Sequence, residues 1–225
     1  MAAHDVPSGV LTPDFYARDT ATVARALIGC MLVSRVGGVT TAGRIVETEA
    51  YLGSGDPGSH AATKGITKRN AVMYGPPGRA YVYFTYGNHH MLNVVTEPEG
   101  VAGAVLIRAV EPLEGLEVMA ARRAFGRREG AAPRPLELAS GPGKLASALG
   151  IDLACNGAPL DGSATLFVLE GPSGPVEVAT SGRIGLSSGY ESELRFYVEG
   201  DPFVSGARPG RRPPTRSRWR KALDR

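Results

Sequence analysis

Apolar and polar positions alternate or repeat in short blocks along the chain, and the blocks change period several times. Residues 19–28 place Val23, Ala24 and Leu27 at helical spacing behind Asp19 or Thr20 as N-cap. Residues 30–36 read as a strand, Gly37-Gly38 as a hairpin turn, and residues 42–52 as the returning strand. Residues 54–65 are rich in Gly, Pro, Ser and Asp and read as a loop, followed by a short helix over 68–73. Strands over 80–86 and 89–95 flank Gly87-Asn88, a second hairpin signal, and 102–109 reads as one more apolar strand. Leu113, Leu116, Ala120 and Ala124 mark one face of a helix over 113–124, and 144–149 reads as a short helix. Late strands are expected at 165–170, 176–179 and 194–199. Hairpins mixed with a few helices, without strict strand–helix alternation, predict one α+β domain. The expected form is a curved, mainly antiparallel sheet with packed helices and a protruding β-hairpin.

Composition narrows the setting. A length of 225 residues with 43% apolar content suits one sizeable domain, expected over 1–206. No apolar run approaches the roughly 20 residues of a membrane helix, and residues 1–10 lack the pattern of a secretory signal. Cys30 and Cys155 are too few and too far apart for a disulfide framework, which favours a reducing, cytoplasmic setting. Charge is concentrated at one end. Residues 206–225 hold eight basic residues against Asp224, a surplus of +7, so the other 205 residues carry −4 of the +3 total. The segment 207–225 is therefore expected to be a basic, disordered tail, either a solubilising end or an attraction for polyanions.

Three motif matches fail on inspection. Gly53-x-Gly55-x-x-Gly58 follows a strand but opens no helix, since Asp56-Pro57 lies inside it, so it is no dinucleotide fingerprint. The run Ser140-Gly-Pro-Gly-Lys144 lacks the first glycine of a phosphate loop and has Leu145 in place of its Ser or Thr. Four histidines and two separated cysteines show no zinc-ligand spacing, and no metal or cofactor is expected.

The strand at 44–52 carries chemistry. Alternation places Glu47, Glu49 and Tyr51 on one face and Val46, Thr48 and Ala50 on the other. Two carboxylates and an aromatic ring suit a cleft in which a carboxylate activates water beside a stacking surface. A solvated strand face, with Glu47 paired to Arg44, explains the same pattern equally well. In the second hairpin, Tyr81 and Tyr83 share a face, where cross-strand packing accounts for Tyr81, and Tyr86 sits beside the turn, where a ring can act as a wedge in a nucleic-acid stack.

These residues resemble a known family, the alkyladenine (3-methyladenine) DNA glycosylases of the mammalian type. The resemblance rests on GRIVETEAYLG at 43–53, His60, Arg69-Asn70, YVYxxYG at 81–87, Asn93, LIRAVEPLEGL at 106–116, SGPGKL at 140–145 and RFYV at 195–198. It implies a monofunctional enzyme that flips alkylated or deaminated purines out of duplex DNA and hydrolyses the N-glycosidic bond, chemistry that needs no cofactor; with no obvious flat apolar edge in the sequence, a monomer is the default expectation. It implies that Glu49 is the general base, with Arg108 and the main-chain carbonyl of Ile184 positioning the water. Tyr51, His60, Tyr83 and Asn93 correspond to the base pocket, and Tyr86 to the side chain that fills the vacated stack. Arg69, Met73 and Lys144 complete the set as DNA contacts. His89 and His90 depart from the aromatic or apolar residues expected beyond the hairpin tip, which bears on groove contacts more than on chemistry.

Overall fold

Two glycine-marked turns organise the sheet. The computed structural model describes residues 7–85, 87–124, 133–171, 176–189 and 191–206. In it, β1 (Met31–Ser34) pairs antiparallel with β2 (Thr41–Tyr51) across a 3-10 turn at Val36–Gly38. Gly37 and Gly38 both sit at φ 74°, a backbone region that side chains with a Cβ rarely enter. β3 (Ala80–Thr85) pairs with β4 (His89–Val95) around Gly87-Asn88, as the second hairpin signal predicts. Tyr86 lies outside the described residues, as does the tail beyond residue 206.

β4 then pairs with β5 (Ala104–Glu114), and β5 with β2, in the order β3-β4-β5-β2-β1-β6, where β6 is Leu166–Leu169. β7 (Val178–Ser181) pairs with β8 (Arg195–Val198), which joins β2 at 47–49, just past the segment that β1 covers. The result is one α+β domain on an open, curved, antiparallel sheet of eight strands. β2 is its centre, flanked along its whole length.

Helices cover one face of this sheet. α1 (Pro13–Tyr16) precedes α2 (Thr20–Ala26), whose N-cap Asp19 accepts from the Thr22 amide at 2.8 Å. α2 seats Val23 and Ala24 against the sheet, and Thr48 of β2 donates to the Ala24 carbonyl at 2.8 Å. α4 (Leu116–Ala124) and α5 (Pro142–Leu149) pack on each other. Leu145 and Leu149 of α5 meet Ile45, Ile107 and Val110 in the main core.

The chain departs from its hydrophobic pattern in five places. The helix expected from 113 starts at Leu116, because β5 continues through Glu114 in register with the start of β2. Pro112 is tolerated there beside a register shift between Ala42 and Gly43. The expected loop at 54–65 contains α3 (His60–Lys64), capped by Ser59, and the helix expected at 68–73 is a 3-10 turn at Ala71–Tyr74. α1 has no counterpart among the expected elements. Finally, alternation fails at one residue of β2. Ile45 opposes Val110 and Glu47 opposes Ala109, so Val46 has no opposite residue. This bulge turns Val46 onto the same face as Glu47, where it packs with Ala109 and Val204 rather than with Thr48 and Ala50.

Candidate active site

A second irregularity sits beside the first. Glu47 opposes Ala109 and Thr48 opposes Ile107, which leaves Arg108 unopposed on β5. The two bulges aim Glu47 and Arg108 at one another on the face away from the helices. Arg108 donates through Nε to Glu47 at 3.0 Å, through Nη1 to Glu49 at 3.0 Å and through Nη2 to Ser205 Oγ at 3.3 Å. Glu47 also accepts from Arg195 Nε and from the Ser205 amide, each at 2.7 Å. The solvated-face reading is thereby excluded, since Glu47 and Glu49 are both fully buried. Arg44 is not the partner of Glu47: it pairs with Glu111 at 2.8 Å and Asp201 at 2.7 Å.

Two carboxylates and two guanidiniums make the Glu47, Glu49, Arg108, Arg195 group formally neutral, which is how charges persist out of water. Burial works against the Arg108 charge, but Glu49 and then Glu47 outweigh it and hold its pKa above the ordinary value.

Glu49 is gripped from three sides. Its Oε2 accepts from the Tyr51 hydroxyl at 2.8 Å and from Arg108, while Oε1 accepts from the Ile184 amide at 2.8 Å. A carboxylate has about four acceptor positions, so among the described residues one position on Oε1 is left for a further donor. Burial and then the Glu49 charge push the Tyr51 phenol well above its ordinary pKa, so it stays a donor.

Tyr51, Arg108 and Ile184 in turn line a cavity of about 310 Å³, within the roughly 300–1,000 Å³ range of small-molecule sites. His60, Tyr81, Tyr83 and Asn93 form its aromatic and polar wall, with Met73, Leu106 and Ala104 as an apolar one. The His60 ring stands edge-on to Tyr83, with centroids 4.7 Å apart, and its Nδ1 lies 3.0 Å from the Tyr81 hydroxyl. Burial first and Arg69 second lower the His60 pKa, which favours the neutral ring. Asn93 donates to the Tyr81 carbonyl at 3.0 Å.

The residues singled out from sequence thus mostly converge. Glu49 and Arg108 are in contact, and Tyr51, His60, Tyr83 and Asn93 share one cavity. Ile184 meets Glu49 through its amide. Met73 is 1% exposed and sits in the cavity wall rather than on an outer surface. Arg69 is exposed and lies over the Tyr83 ring at 5.1 Å. Lys144 is on the first turn of α5, two residues past Pro142 at the cavity edge. Among the described residues no group of three His, Cys, Asp or Glu side chains is placed to hold a metal ion, and no helix is long and apolar enough to cross a membrane.

Sequence reasoning missed Asp56, Arg183, Arg195 and Ser205, and it underrated Tyr81, which is both packed and cavity-lining. The RFYV segment at 195–198 was the available signal for Arg195, and the arginine preceding Ile184 was the signal for Arg183.

Comparison with known proteins bears on the same residues. The family model of the methylpurine-DNA glycosylases (MPG) matches residues 14–202. A protein of Methanoculleus marisnigri is 50% identical over 197 residues, covering 85% of this chain and 96% of its own length. One from Chlorobaculum tepidum is 46% identical over 216 residues, covering 95% and 98%. A third, from Koribacter versatilis, is 47% identical over 197 residues, covering 86% and 92%. All three carry the provisional name 3-methyladenine DNA glycosylase. With the match spanning every strand of the sheet and the whole of the cavity, the chain belongs to the methylpurine-DNA glycosylase family of DNA repair enzymes.

Proposed function

We propose that the chain flips alkylated or deaminated purines out of duplex DNA into the 310 Å³ cavity and hydrolyses the bond to the sugar, leaving an abasic site. One observation carries this reading: Glu49 is held by Tyr51, Arg108 and the Ile184 amide, all three of which border that cavity.

A base inside a duplex is out of reach, so extrusion comes first, at a cost of a few kcal/mol that a damaged or mispaired base lowers. The Tyr86 side chain fills the gap in the stack. The everted base lies against Tyr51 and Tyr83, whose ring faces attract a cationic N3- or N7-alkylated purine. A water donates to the remaining acceptor position of Glu49 Oε1 and faces the anomeric carbon. As the C1′–N9 bond breaks, its electron pair leaves with the base. The sugar gains oxocarbenium character, water oxygen bonds to C1′, and Glu49 takes the water proton. An alkylated cationic purine departs neutral without further protonation. Arg69 and Lys144 meet backbone phosphates beside the cavity mouth. No lysine is among the described residues lining the cavity, which favours water over an amine as nucleophile.

The test is an excision assay on duplexes that each carry one 3-methyladenine, 7-methylguanine, hypoxanthine or ethenoadenine. Release of free base with the strand intact until alkali treatment is the expected result. No base released from any duplex, or strand scission without alkali, contradicts the reading.

A further inference from the structure

Outside the four-residue ion cluster, one buried pair touches two of the segments that converge on Glu49, the end of β2 and the chain that leads into Ile184. Arg183 donates through Nη1 to Asp56 at 2.6 Å and to the Ala50 carbonyl at 2.8 Å. Through Nη2 it donates to Asp56 at 2.6 Å and to the Gly189 carbonyl at 2.8 Å. Its guanidinium also covers the Tyr51 ring at 4.8 Å. Asp56 accepts from the amides of Leu52 and Gly58, each at 2.9 Å. Both side chains are buried, at 4% exposure each. Burial opposes the Asp56 charge, yet its hydrogen bonds, those from Arg183 foremost, leave its pKa below the ordinary value.

The connections have a direction. Ala50 lies between Glu49 and Tyr51 on β2, and Ile184, whose amide holds Glu49 Oε1, follows Arg183 directly. Gly58 packs so closely that a Cβ there would stand 2.6 Å from Arg183 Nη2. The clasp therefore joins the end of β2, the 53–58 loop and the 184–189 loop, and neither Arg183 nor Asp56 is among the described residues that line the cavity.

We infer that Arg183 and Asp56 are positioning residues for the hydrolytic step: their bidentate pair fixes the Ile184 amide on one lone pair of Glu49 Oε1 and Tyr51 on Oε2, leaving the second Oε1 lone pair aimed for water. A carboxylate displaced by a fraction of an ångström presents that lone pair in the wrong direction, and misplacement near 1 Å costs on the order of 10²-fold in rate. A lysine at 183 or an asparagine at 56 keeps volume but loses the fork-to-fork geometry.

This inference rests on the glycosylase reading, and the experiment separates the two. Single-turnover base release and lesion-duplex affinity are measured for full-length wild type, R183K, D56N, E49Q and the double variant R183K/E49Q. The expected result is a loss of about 10²-fold in single-turnover rate for R183K and for D56N, with affinity changed far less. Because the pair acts through Glu49, R183K/E49Q is expected to be no slower than E49Q alone. Rates are read at temperatures where thermal melts show each variant folded. Full additivity in the double variant, or a loss confined to affinity, overturns the positioning role while leaving the glycosylase reading intact. So does failure of both single variants to fold at any temperature, which would make the clasp a folding element only. Near-normal turnover by E49Q overturns the glycosylase reading instead.

Discussion

Arg108 Nη1 lies 3.0 Å from Glu49 Oε2, across adjacent strands, with the carboxylate fully buried and the arginine 7% exposed. This contact does two things. It compensates the Glu49 charge out of water, and it leaves Oε1, on the Ile184 side, as the oxygen with room for another donor. The bulge that leaves Arg108 unopposed on β5 makes the contact possible.

Removing the arginine should therefore be costly to the fold. Arg108→Met strips the Glu49 and Glu47 carboxylates of a shared partner while keeping an apolar stem of similar reach. A buried pair broken on one side loses about 3–5 kcal/mol, read as a lower urea midpoint at unchanged slope. A loss below about 1 kcal/mol, the range of exposed pairs, would contradict the compensating role.

Gly58 should not accept a side chain. A Cβ there meets Arg183 Nη2 at 2.6 Å and Leu186 Cδ1 at 2.8 Å, so Gly58→Ala should cost about 1–3 kcal/mol by overpacking and slow base release. Thermal melting and single-turnover assays check both; wild-type values in each would show that the loop gives way freely.

His60 sets a pH dependence. Its pKa in the folded protein lies below the ordinary 6.5, through burial and Arg69. The unfolded chain thus takes up this proton more readily than the folded one. Stability from this residue is complete above pH 6.5 and is lost as pH falls from there through the folded pKa. His60→Gln should flatten the fall of stability with pH just below that value, measured by urea titrations across the range. An unchanged slope would mean that His60 titrates normally.

The tail is proposed to add affinity for the DNA backbone without reading sequence, from its eight basic residues. Ending the chain at residue 206 should weaken binding to undamaged duplex and reduce the slope of log K against log salt, by about 0.9 for every phosphate that the tail neutralises. A slope equal to that of the full chain would remove this role.

Sequence periodicity revealed the carboxylate strand because β2 is regular from Glu47 to Tyr51, where alternation alone puts Glu49 beside Tyr51. It failed just before Glu47, since a bulge adds a residue without changing composition and Val46 is as apolar as a core residue should be. The strand expected to end at 109 runs on to Glu114, with Pro112 opposite Gly43 beside a register shift that leaves Leu113 unopposed. The hairpins were legible from Gly-Gly and Gly-Asn, whose turn preferences are local. Arg183 and Asp56 were not. They are 127 residues apart, each in a loop of ordinary composition, and nothing but the folded chain brings them together. The same holds for Glu47 with Arg195 and Ser205, separated by 148 and 158 residues.

The central claim is that Glu49 deprotonates the water that displaces the base. Its most direct test is single-turnover release of free base by Glu49→Gln from a duplex carrying one lesion that the wild type excises, with binding to that duplex measured in parallel. The account predicts retained binding and a rate lower by several orders of magnitude. Release at a rate near that of the wild type would contradict it.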